Sequence, residues 1–73
     1  MNETDRVHFA TQIQWFATVH EKSLTKKFVD AYWDELSGMD RFAFDIACRR
    51  LRGAAKWMPK PSDFRRAYQE SFT

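Results

Sequence analysis

DRFAFDIACRRLRGAAKWMPKPSDF, residues 40–64, decides the fold. Asp40 is a side-chain acceptor of the type that caps a helix start. Behind it Ala43, Phe44, Ala47, Leu51 and Ala54 recur at helical spacing, which predicts a helix over about 41–56 with those residues toward a core. The opposite side reads Arg41, Asp45, Arg49, Arg52, Lys56. Asp45 is spaced to pair with Arg41 and Arg49, each pair contributing about 0.2–0.5 kcal/mol. Arg49, Arg52 and Lys56 are left as a positive ridge at the helix C-terminus, where cations complement the dipole. Gly53 weakens that end and predicts an early stop. Pro61 then suits the first position of a further helix, with Ser62 and Asp63 set against its free amides.

Outward from this stretch the pattern stays helical. Over about 4–20, Phe9, Ala10, Ile13, Phe16, Ala17 and His20 share one face. Trp15 falls on the other side beside His8 and Val19, so another element, a chain terminus or a partner covers it. Ser23 or Thr25 caps a second helix, about 25–37, whose apolar face is Phe28, Val29, Tyr32, Trp33 and Leu36. Gly38 stands where a residue of positive φ closes a helix. In the last helix Phe64, Ala67, Tyr68 and Phe72 form a buried stripe, with Arg65 and Arg66 outward. Strict two-residue alternation is absent. The expected fold is all-α: one domain over 1–73, a small bundle of four helices, three longer and one short and C-terminal, with short connections.

Seventy-three residues support a thin core, because a domain of this size buries only about 60% of the surface its unfolded chain exposes. Three Trp, two Tyr and seven Phe offset this, each ring burying on the order of 150–250 Å². Residues 1–40 hold four Lys/Arg against seven Asp/Glu, and residues 41–73 eight against three, so the second half is a cationic surface. The single cysteine, Cys48, excludes an internal disulfide and a cysteine metal cluster. No apolar run nears the roughly 20 residues that span a bilayer, and the acidic start has no signal-peptide pattern, which predicts a cytoplasmic protein with no membrane partner.

Catalysis requires converging groups. His8 and His20 lie twelve residues apart on one helix, roughly 18 Å along its axis. No nucleophile elbow, metal-protease or calcium-loop spacing and no Gly-rich phosphate loop occurs. The expectation is a non-enzymatic binding domain with no cofactor and no metal. Its candidate surface is Arg49, Arg52, Lys56, Lys60, Arg65 and Arg66, with Trp15 and Trp57 as apolar contacts. Phe42 and Ile46 are further apolar candidates unless neighbouring helices cover them. Two partners fit: a protein docked on this basic face, or a nucleic acid gripped by its phosphates with a base stacked on Trp57. Asn and Gln, which read base edges, are missing from the third helix. An exposed Trp15 face also allows a homodimer.

Leu24, Tyr32-Trp33 and Leu36, then Phe44, Ala47 and Leu51, then the run Trp57 to Phe64 form a recognisable series. Over about 24–68 it resembles the small phage proteins that load or inhibit the replicative helicase, whose cue is an aromatic-x-x-x-Leu helix, an Ala-bearing helix and a proline turn opening a final helix. The resemblance implies an all-helical phage or mobile-element adaptor or inhibitor, without catalytic residues, that contacts the helicase or another nucleic-acid machine. It carries over only the core positions Tyr32, Trp33, Leu36, Ala47, Leu51, Pro59, Pro61 and Phe64. Members of that family commonly grip the helicase with a polar, disordered C-terminal tail, whereas this sequence stops at Thr73. The resemblance therefore implies contact through the folded surface, or a reduced version with another partner.

Overall fold

The computed structural model describes residues 1–71. A single 3-10 turn, Glu3–Asp5, leads into α1 (Arg6–Val19), followed by α2 (Lys26–Leu36), α3 (Arg41–Ala54) and α4 (Pro61–Glu70). The described residues contain no strand, and the chain is an all-α bundle of four helices. Phe72, expected in the last helix's stripe, lies outside the described residues.

Local chemistry explains the helix starts. The Thr25 hydroxyl accepts the Phe28 N–H at 3.1 Å and opens α2. The Asp40 carboxylate does the same for the Phe42 N–H at 3.0 Å and opens α3. In α4 Pro61 occupies the first turn, and the Asp63 carboxylate accepts the Lys60 N–H at 2.8 Å. The expected start of the first helix at about Thr4 is instead the 3-10 turn. The Asn2 side chain accepts the Thr4 N–H there, and the Asp5 carboxylate accepts the Asn2 N–H.

The helix ends depart from expectation. Gly38 does not have positive φ; among the described residues the only one that does is Glu21, at φ 56°. It closes α1, with the Lys22 N–H bonded to the Ala17 carbonyl at 2.8 Å and the His20 N–H to Phe16 at 3.0 Å. This is the left-handed closure that glycine usually supplies, made by a glutamate. After α2 the work falls to other donors. The Ser37 N–H bonds to Trp33, the Met39 N–H to Leu36, and the Met1 ammonium donates to the Ser37 and Met39 carbonyls. As expected from Gly53, α3 stops early, at Ala54, and Ala55 turns extended at φ −75°, ψ 127°. Lys56 therefore lies past the helix rather than on its ridge. Ala54 is exposed, not in the core, because the chain swings away in the last turn before α4 can cover it.

Four phenylalanines with no exposed surface, Phe9, Phe16, Phe44 and Phe64, form the centre with Ile13 and Leu36. Phe9 and Phe44 rings lie 5.0 Å apart, Phe44 and Phe64 5.7 Å, and Phe16 meets Phe64 edge-on at 5.5 Å. These contacts join α1, α3 and α4. Trp33 brings in α2, edge-on to Phe9 at 5.1 Å. Each fully buried Phe contributes about 1.5–3 kcal/mol from area alone. Ala47 and Ala67 are also buried, and the α3–α4 contact dominates the packing between helices. Two residues of the connecting turn, Met58 and Pro59, are buried as well, and the Tyr32 hydroxyl donates to the Pro59 carbonyl at 2.6 Å. The turn is thereby fixed to α2. No described helix is long and apolar enough to cross a membrane.

Candidate functional site

The expected outward row of cations is not a row. The side of α3 carrying Arg41, Asp45 and Arg52 runs along α1. Arg41 stands 3.6 Å from Asp5 and 4.0 Å from Asp45. Asp45 accepts from His8 Nε2 at 2.5 Å instead of pairing with Arg49. Arg52 hydrogen-bonds the Gln12 side chain and lies over the Trp15 ring, 4.4 Å from its centroid. In so small a bundle a central helix meets neighbours on two flanks, and the long side chains of its polar flank reach back to the adjacent helix. Arg52 is therefore an intramolecular clasp rather than a free docking residue.

Arg65 faces away from this flank. It donates to the Glu35 carbonyl and carboxylate, both at 2.9 Å, across to α2. The expectation of Arg65 as a free outward cation is corrected accordingly, since the geometry of α4 points it at the C-terminal turn of α2. Lys60 is exposed at the N-cap of α4. Arg49 is exposed on the edge of the α1–α3 cleft, beside His8, Gln12, Asp45, Cys48 and Arg52, and its side chain has no ion-pair or hydrogen-bond partner among the described residues.

What the fold does bring together is a groove of about 460 Å³ between the C-terminal half of α3 and α4. Leu51, Ala54, Ala55, Pro59 and Ala67 give it an apolar lining. Trp57 stands at its edge with 68% of its surface exposed. Arg50, Lys56 and Arg66 supply positive charge, and Asp63 and Glu70 negative. Both acids are already engaged, Asp63 by the Lys60 N–H and Glu70 by Arg50 at 3.6 Å. Lys56 and Arg66 have no ion-pair partner among the described residues. Of the six expected cations, then, two converge on one concavity with one of the two expected tryptophans.

Trp15 is 37% exposed, covered on one face by Arg52 and set edge-on to Phe16 at 5.1 Å. Another element therefore covers much of it. Ile46 is half-buried, whereas Phe42 remains 68% exposed at the start of α3. Arg50 is the groove residue that the helical wheel placed off the ridge. Its i+3 and i+4 neighbours Gly53 and Ala54 are small, which is the signal that a concavity begins there.

Cys48 and Tyr32 are shifted mainly by burial. The Cys48 thiol, beneath the α1–α3 cleft, is pushed up to about 12 by burial and then by Asp45. The Tyr32 hydroxyl is raised by burial and then by Asp63. A thiol held protonated in this way is a poor nucleophile. Among the described residues no three His, Cys, Asp or Glu side chains gather in an arrangement that holds a metal ion.

No protein-family model, curated protein or solved structure matches the chain.

Proposed function

We propose that this chain is a non-enzymatic adaptor or inhibitor of phage or mobile-element type, which binds a protein of a replication or other nucleic-acid machine through the α3–α4 groove. The observation that carries the binding role is the exposed Trp57 beside an apolar concavity flanked by Lys56 and Arg66, neither of which has an ion-pair partner among the described residues. Tryptophan and arginine at a desolvatable pocket are the residue types that anchor protein interfaces. The partner class comes from the helicase-loader resemblance of residues 24–68.

A protein fits the surface better than a nucleic acid does. Phosphate gripping needs several cations on one face, because affinity grows with each counterion released. Here Arg52 is clasped to α1 and Arg65 to Glu35, which leaves the basic row broken. The remaining positive charges flank an apolar lining instead of tracking a strand.

The test is a pull-down from bacterial lysate with the immobilised chain, with and without nuclease, followed by identification of the retained proteins. The replicative helicase or another replication protein should remain after nuclease treatment. Retention that vanishes with nuclease would replace the adaptor with a direct nucleic-acid binder.

A further inference from the structure

We infer that the α3–α4 groove receives an acidic linear segment of its partner, with a large apolar side chain set between carboxylates. This rests on the adaptor reading and adds the chemistry of what is held.

The groove's interior asks for an apolar group. Leu51, Pro59 and Ala67 line it and the Trp57 ring forms its lip, so a large apolar side chain entering there meets carbon on several sides. Its volume of about 460 Å³ lies in the range of pockets that enclose a ligand group. The rim asks for negative charge. Asp63 accepts the Lys60 amide and Glu70 faces Arg50, whereas Lys56 and Arg66 have no ion-pair partner among the described residues. A neutral apolar segment seated between them would strip water from two charges without replacing it, which is unfavourable. A basic segment would add repulsion. A carboxylate on each side of the anchor removes both penalties and makes charge-assisted hydrogen bonds, with Arg66 able to bind bidentately.

The C-terminus of α3 opens at the same rim and opposes an acidic ligand. Its effect is equivalent to about half a negative charge and fades within one turn, whereas the three cations Arg50, Lys56 and Arg66 exceed the two carboxylates Asp63 and Glu70 by one full charge. The cations therefore set the sign. A single-stranded nucleic acid is the weaker occupant. Two cations give a shallow phosphate contribution, and Trp57 offers one stacking ring without a neighbour for the next base.

The experiment is fluorescence anisotropy on the intact chain with three labelled probes: a short peptide with a central Leu-Phe pair flanked by Asp and Glu, the same peptide flanked by Lys and Arg, and oligo(dT). The acidic peptide should bind saturably and at least about ten-fold more tightly than the other two. Lys56→Glu with Arg66→Glu, and separately Trp57→Ala, should each weaken it about ten-fold or more. Arg49→Glu, outside the groove, should leave it unchanged. Circular dichroism confirms that each variant is folded. Equal binding of the basic peptide, indifference to the Lys56/Arg66 reversal, preference for oligo(dT) or absence of peptide binding would each overturn the inference. A replication protein retained in the nuclease-treated pull-down alongside any of these results would leave the adaptor role standing and remove only the acidic-segment assignment.

Discussion

The central carbon of the Arg52 guanidinium stands over Trp15, 4.4 Å from the ring centroid, while the same group hydrogen-bonds Gln12. One side chain of α3 thus fastens two residues of α1 one turn apart. With His8–Asp45 and Arg41–Asp5 it forms a polar seam along the flank where α1 and α3 meet.

Loss of this clasp should weaken the fold modestly. Arg52→Ala removes a partly exposed cation–π contact of about 0.5–1 kcal/mol and a hydrogen bond of similar size. Chemical denaturation of Arg52→Ala, Trp15→Leu and the double variant should give a coupling energy of about 0.5–1 kcal/mol. Binding of the partner should survive in Arg52→Ala, because that residue does not line the α3–α4 groove.

The phenylalanine centre should be far less tolerant. Phe44 touches Phe9 and Phe64 and has no exposed surface, so Phe44→Ala should cost about 3–5 kcal/mol. Against a total stability of about 0.05–0.15 kcal/mol per residue, that removes a large share of what a chain of this length has. Circular dichroism should find Phe44→Ala melting far below the parent, whereas Phe42→Ala, at an exposed position, should melt close to it.

Glu21 offers a stabilising change. Holding a residue with a Cβ in the left-handed region costs roughly 1–2 kcal/mol, and glycine gives back about 0.5–1 kcal/mol through its freer unfolded chain. Glu21→Gly should therefore raise the melting temperature by a few degrees, whereas Gly38→Ala, at a position without positive φ and with open space around its Cα, should not lower it appreciably.

Cys48 and Tyr32 make the fold sensitive to alkali. Both are acids whose folded pKa is raised by burial above the ordinary value, 9.0 for the thiol and 10.0 for the phenol. Above those values the unfolded chain releases protons that the folded chain retains, so their contribution to stability is full below about pH 9 and is lost as pH rises toward 12. Cys48→Ala should flatten that fall in urea titrations taken at increasing pH. At pH 8 the native thiol should react with iodoacetamide only as fast as the chain opens, and far more slowly than in denaturant.

Much of the fold is legible in local sequence. Thr25, Asp40 and Pro61 mark helix starts through their own chemistry, and the spacing of Phe9, Ile13 and Phe16, or of Phe44 and Ala47, fixes which face turns inward. The site is less legible. A helical wheel places Arg52 and Asp45 on an outer ridge, but it carries no information on which neighbour stands there, and α1 supplies Gln12, Trp15 and His8. Arg65 is redirected in the same way by Glu35, thirty residues earlier. Burial of Met58 and Pro59 comes with a hydrogen bond from the Tyr32 hydroxyl to the turn, a contact across 27 residues. The closure of α1 at Glu21 escapes notice because glutamate is not a residue that advertises positive φ.

Site-specific photocrosslinking tests the central claim most directly. A benzoylphenylalanine placed at position 57, on the lip of the groove, and another at position 65, on the α2-facing side of α4, would be irradiated in nuclease-treated bacterial lysate. The account predicts a discrete protein adduct from position 57, abolished by Lys56→Glu with Arg66→Glu, and none from position 65. Equal adducts from both positions, or adduct formation at 57 only with nucleic acid when nuclease is omitted, would contradict it.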